Sequence, residues 1–165
     1  MSYHIYTTPG IILSHWPLRE ADRIYAILTR DFGLVRASAS GVRKESSKLR
    51  GALEPLSLSS ISLVRGKEHW RITSAVLESK IPSVFAAPFS LLEKLVTGES
   101  PNPKLFDSVS TLIKSTQLPD DMFEPRLVSK ILFHLGYLRE SDLSLDKRGL
   151  IKAINKGLQA SDLTT

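Results

Sequence analysis

Five basic side chains lie between Arg36 and Arg50, against the single acid Glu45, in a stretch that reads LVRASASGVRKESSKLRG. Arg36, Arg43, Lys44, Lys48 and Arg50 carry donors suited to phosphate oxygens, and the Ser and Gly residues between them let a backbone follow a polyanion. Such a set neutralises phosphates and releases counterions; it needs no base-edge code and performs no reaction. These five are the candidate contacts to a nucleic-acid backbone. The competing reading is a solvated connection that happens to be charged.

The wider charge distribution favours the first reading. Residues 1–80 hold 12 Lys/Arg and 7 Asp/Glu, whereas residues 81–165 hold 10 of each, so the whole excess of +5 sits in the first half. Charge gathered on one part of a chain is the electrostatic footprint of a polyanion partner.

Reactive constellations are missing. With no cysteine in the sequence there is no disulfide, thiolate zinc site or Cys nucleophile, which suits a reducing cytoplasm. His4, His15, His69 and His134 are scattered without ligand spacing, so no metal and no cofactor is expected. Asp31–Gly33 spells DFG, but no glycine-rich phosphate loop or HRD partner accompanies it, and it reads as a hairpin turn. GVRKESSK at Gly41–Lys48 lacks the glycine, lysine and hydroxyl order of a phosphate loop. Asp120, Asp121 and Glu124 precede a helix and suit its N-terminal dipole. Glu20 and Asp22, between Arg19 and Arg23, read as an ion-pair cluster. The chain is therefore expected not to be an enzyme. No apolar run approaches a membrane span, and no signal peptide is expected.

The elements that must carry the cations change character near Pro82. Before it, short alternating or β-branched segments are separated by turn signals. The predicted strands are Gly10–Trp16, Arg23–Thr29, LVRASAS with Val35, Ala37 and Ala39 on one face, Leu56–Val64, and a last strand alternating Trp70, Ile72, Ser74 and Val76. Leu56 and Leu58 are out of phase with Ile61 and Leu63, which predicts a bulge near Ser59–Ser60. Five short strands suit a small closed barrel, with the basic stretch between the third and fourth as a mobile loop.

After Pro82 the period is helical. Phe89, Leu92, Leu95 and Val96 form one stripe. Asn102 before Pro103 marks a helix start for the stripe Leu105, Phe106, Val109, Leu112 and Ile113, which stops before Pro119. Met122–Leu135 forms a third helix with Pro125 in its first turn and Gly136 at its end. Leu150–Leu158 forms a last one, and these stripes read as core. Both Trp and three of four Tyr lie in the first half, and five of six Phe in the second. That bias fits nucleic-acid binding, but it assigns no individual aromatic as a stacking platform.

GIIL, EADRI, LTRDFGL, the basic GVRK loop and KLRGALEPLSLSSISLVRG, in that order and spacing, resemble the N-terminal domain of the bacterial recombination mediator family RecO. The likeness continues through PNPKLFD and LGYL. It implies an α+β chain, with an OB-fold barrel over residues 1–80 and an α-helical domain over 81–165. It also implies binding of single- and double-stranded DNA, strand annealing and recombinase loading in recombinational repair, in the nucleoid of a bacterial cytoplasm. The implied partners are a RecR-like mediator protein and the single-strand DNA-binding protein; no membrane is involved. Many family members carry a zinc-binding Cys quartet that this chain lacks, so no zinc is expected. The chain is also short for the family after LGYL, so the site for the single-strand binding protein's tail is not carried over. Two other classes remain open at this point: a protein-interaction scaffold whose basic loop meets an acidic partner, and an RNA-binding module.

Overall fold

The computed structural model describes residues 3–115 and 120–161, in two compact units. The first comprises Met1–Ser83 and Thr97–Pro101; the second comprises Val84–Val96 and Asn102–Thr165.

Five strands make the first unit: β1 (Tyr6–Pro17), β2 (Arg23–Thr29), β3 (Gly33–Ala39), β4 (Ser57–Val64) and β5 (Trp70–Lys80). They close a barrel in the order β1-β2-β3-β5-β4, the OB-fold arrangement. β1 serves two neighbours. It pairs with β4 from Tyr6 to Ile12 and with β2 from Gly10 to Pro17. A register shift at Leu13 bends it between the two tasks. Gly10 lies where both pairings overlap, and a Cβ there would come within 2.8 Å of the Ile27 side chain. Inside, Ile12, Tyr25, Ile27, Val35, Ala37, Ile61, Leu63 and Trp70 form the core.

The seam between β3 and β5 is short. The two strands run parallel and match only at Ala37 with Trp70 and Ser38 with Arg71. Beyond the seam, Thr97–Pro101 lies against the barrel. The Leu34 amide donates to the Gly98 carbonyl at 3.2 Å, and the Trp70 indole N–H donates to Glu99 Oε1 at 2.8 Å. Gly33 holds φ +73°, and a Cβ there would meet the Ser100 backbone at 2.6 Å, so this turn accepts only glycine comfortably.

Two expectations for β4 and β5 need correction. β4 carries no bulge: its odd residues, from Ser57 and Ser59 to Ile61 and Leu63, keep one face, and Ser59 Oγ donates to the buried Ala52 carbonyl at 2.6 Å. Leu56 precedes the strand at φ +63°, held by a bond from its amide to Ile12 O and one from Ile81 N–H to its carbonyl. Its break in phase belongs to that kink. The extra residues opposite β4 are Thr73 and Glu78 of β5. The shift at Thr73 turns Ala75 toward the core, so Ser74 and Val76 do not continue the inward row, and Val76 is 62% exposed.

The second unit contains α1 (Ala86–Leu95), α2 (Pro103–Lys114), α3 (Phe123–His134) and α4 (Lys147–Ala160). Asn102 caps α2, its side-chain oxygen accepting from Leu105 N at 3.1 Å while its amide donates to His134 O at 3.0 Å. The expected stop of that stripe at Pro119 lies outside the described residues; the helix itself ends at Lys114. Gly136 (φ +88°) closes α3, with Tyr137 N bonded to Leu132 O and Gly136 N to Phe133 O. Leu95, Val128, Leu132, Leu150 and Ile154 build the core beneath the predicted stripes. Asp121 accepts from Lys147 at 3.1 Å, which holds its carboxyl below the usual range, so this acid is tied up structurally. No helix among the described residues is long and apolar enough to cross a membrane.

Candidate nucleic-acid interface

The basic loop is anchored to the barrel at both ends. Val42 is fully buried in the barrel core, and Leu49 packs against the same core from the loop's other end. Turn bonds from Lys44 N to Gly41 O and from Ser47 N to Lys44 O fold the span between these pegs. The β1–β2 connection ties it laterally. Gly41 N–H donates to Asp22 Oδ1 at 2.8 Å, Arg43 N–H to Ala21 O at 3.0 Å, and the Arg43 guanidinium to Arg19 O at 3.3 Å. Two apolar side chains in an otherwise polar run are what pin it, since their burial outweighs the freedom the serines allow.

The pegs push the cations out. Arg43, Lys44 and Lys48 are exposed, and Arg43 and Lys44 border a shallow cleft with Glu20 and Ala21. Arg50 opens a short 3-10 turn (Arg50–Ala52) and is half-buried on the barrel side. Arg36 stands apart from the loop: it sits on the outer face of β3, its guanidinium 5.6 Å from the Trp16 ring. It is about 13 Å along the strand from Ser40, at roughly 3.3 Å per residue. The five candidates therefore fall into a loop cluster of Arg43, Lys44 and Lys48, with Arg50 behind it and Arg36 on the sheet.

The expected ion-pair cluster around Glu20 and Asp22 is looser than its spacing suggests. Arg19 meets Asp22 at 3.9 Å, while Arg23 turns to Glu54, also at 3.9 Å. Asp22 acts chiefly as the acceptor that anchors Gly41. Beneath the loop, the Tyr25 hydroxyl is buried near the Arg23 guanidinium, which makes no hydrogen bond of good geometry to it. Burial pushes its phenol above the ordinary value, against the pull of Arg23. Burial, together with Arg23, also holds the neighbouring His15 imidazole below its ordinary value. No cluster among the described residues has the makings of a metal site.

Composition missed three residues that the barrel brings to its outer face: Trp16, Arg71 and Tyr3. Trp16 is opposite Ile24, and Ser38 opposite both Ile24 and Arg71, so one register row crosses β1, β2, β3 and β5. Their chain neighbours Tyr25, Ala37 and Trp70 point into the core, so this row points out. The sequence signal for Trp16 and Tyr3 was the Trp and Tyr bias of the first half, which did not single out either; the shift at Leu13 is what turns Trp16 outward.

Residues 1–80 match the family described as "Recombination protein O N terminal". The chain is 32% identical to the DNA repair protein RecO of Dehalococcoides mccartyi strain BAV1 over 96% of its own length and 64% of the relative's. It is 30% identical to the DNA repair protein RecO of Heliobacterium modesticaldum over 86% of the chain and 55% of that protein. Identity rises to 51% with the DNA repair protein RecO of Synechococcus sp. JA-2-3B'a(2-13), over 41% of the chain and 24% of the relative. The chain thus spans less than two thirds of these relatives. Its cation-bearing barrel, residues 1–80, matches the recombination protein O N-terminal family, and similarity to proteins named DNA repair protein RecO runs on through its helices.

Proposed function

We propose that this chain is the DNA-binding part of a recombination mediator, with residues 1–80 as the nucleic-acid-binding domain and residues 81–165 as the helical domain. It acts by binding rather than by catalysis, holding single- and double-stranded DNA, promoting annealing of complementary strands and assisting recombinase loading in DNA repair. A RecR-like mediator and the single-strand DNA-binding protein are the partners that go with this role. The observation that carries the reading is the pegged loop, which presents Arg43, Lys44 and Lys48 to solvent from a barrel holding all the chain's net charge. Arg50 and Arg36 extend the same backbone contacts. Neutralising two strands on one molecule lowers their mutual repulsion, which is how a sequence-tolerant cationic surface speeds annealing.

The test is an annealing assay with complementary oligonucleotides, alone and coated with single-strand binding protein, run beside binding titrations over a range of salt. If about four phosphates of one strand are neutralised, log K falls against log salt with a slope of roughly −3, at about −0.7 per contact. Reversal of Arg43, Lys44 and Lys48 to Glu should abolish annealing and flatten that slope. Salt-independent binding, or annealing untouched by the reversal, overturns the reading and favours an apolar protein-docking role.

A further inference from the structure

We propose that the outer face of the barrel holds a single-strand-selective stacking track, with Trp16 and Tyr3 as base platforms and Arg36 and Arg71 as the cations beside them. This rests on the DNA-binding reading above and adds to it the features that would tell one strand from a duplex. The row Trp16–Ile24–Ser38–Arg71 crosses four strands, three strand spacings or about 14 Å, the length of about four stacked nucleotides. Between its ends the row carries only Ile24, half-buried, and Ser38, a small side chain, while Ala26 stands opposite Arg36 in the next row.

Each aromatic is paired with a cation. The Arg36 guanidinium lies 5.6 Å from the Trp16 ring, and that of Arg71 lies 5.7 Å from the Tyr3 ring. Tyr3 is 63% exposed, a large ring left in water. The third such pair in the barrel shows what a purely structural one looks like. Arg65 lies 4.0 Å over Trp70, but that ring is 2% exposed and Glu99 binds both partners. Among the described residues no carboxylate pairs with Arg36 or Arg71. Two guanidiniums without a carboxylate partner, one beside the exposed Tyr3 ring and one beside the half-buried Trp16 ring, match a ligand that alternates anionic phosphate with flat π-faces. A single strand offers those faces; a duplex hides them within its own stack and offers phosphate alone, which the loop cations bind equally well.

The experiment uses the full chain and intrinsic tryptophan fluorescence. Trp70 is buried, so quenching by an added oligonucleotide reports Trp16. Titration with a thymidine 15-mer should quench strongly, whereas a duplex of equal length should bind with little quenching. Trp16→Ala should lose about tenfold or more of single-strand affinity with duplex affinity unchanged. Trp16→Phe should keep the affinity and lose the quench, which separates stacking from a folding defect. Equal loss for both DNA forms, or none for either, in a Trp16→Ala protein whose DNA binding still depends on the loop cations, overturns the track and leaves the mediator reading standing. Absence of any salt-sensitive DNA binding overturns both. Tighter binding of a uridine 15-mer than of the thymidine one reassigns the track to RNA and overturns it as a DNA site.

Discussion

Glu99 lies far outside the barrel strands in sequence, yet replacing it with Ala should destabilise the barrel. Its carboxylate takes the Trp70 indole N–H at 2.8 Å and the Arg65 guanidinium at 3.1 Å. Trp70 is 2% exposed, so the substitution leaves a buried donor unsatisfied, at a cost of about 1–3 kcal/mol. The Arg65 pair is largely exposed and adds roughly 0.2–1 kcal/mol. A total near 2 kcal/mol corresponds to a fall in Tm of about 8–16 °C for a unit of this size. Both tryptophans belong to the barrel unit, so urea unfolding followed by their fluorescence reads it selectively. Glu99→Gln keeps an acceptor oxygen and should cost about half as much. In a Trp70→Phe background the N–H is gone, and Glu99→Ala should cost only the ion pair, giving a coupling energy of about 1–2 kcal/mol. A loss below about 0.5 kcal/mol for Glu99→Ala, or an equal loss in both backgrounds, would refute the argument.

Two more outcomes follow from the same physics. Asp22→Ala removes the acceptor for Gly41 N–H and should cost about 1.5–3 kcal/mol, with faster amide exchange over residues 41–48 than elsewhere in the barrel; unchanged exchange there would mean the two apolar pegs suffice. His15 titrates below its ordinary value of 6.5 when folded, so the unfolded chain takes up the proton first. The stability this brings is complete above 6.5 and is lost as pH falls toward the folded value. His15→Gln should shallow the decline in barrel stability below about pH 6.5, and an unaltered profile would show that other groups set it.

Much of the architecture was legible because local signals and tertiary packing agree. Arg23–Thr29 is β2 residue for residue, and the Asn102–Pro103 start of α2 carries the cap its chemistry predicts. Legibility failed where backbone geometry shifts the side-chain period. One shift at Leu13 moves Trp16 to the outer face, and another at Thr73 releases Val76 to solvent. Alternation counted along the letters cannot register an unpaired residue, because the shift is set by the neighbouring strand. The loop shows the same limit. Its serines and glycines suggested mobility, and its anchoring by Val42 and Leu49 rests on a core that only the closed barrel supplies. The five cations were found by type and spacing, while their separation into loop and sheet groups needed the three-dimensional path.

The barrel unit takes Thr97–Pro101 from beyond α1, and this affects when it can finish forming. A nascent chain that has just exposed Lys80 has all five strands but neither the carbonyl that receives the Leu34 amide nor the carboxylate that receives Trp70. About twenty further residues must emerge, which takes roughly 1–4 s at 5–20 residues per second. During that interval the edges beside the two-residue seam are open, and a neighbouring strand edge is the natural competitor for them. A recombinant barrel that stops at residue 80 would keep that state permanently, whereas one carried to Pro101 would contain every residue of its own fold.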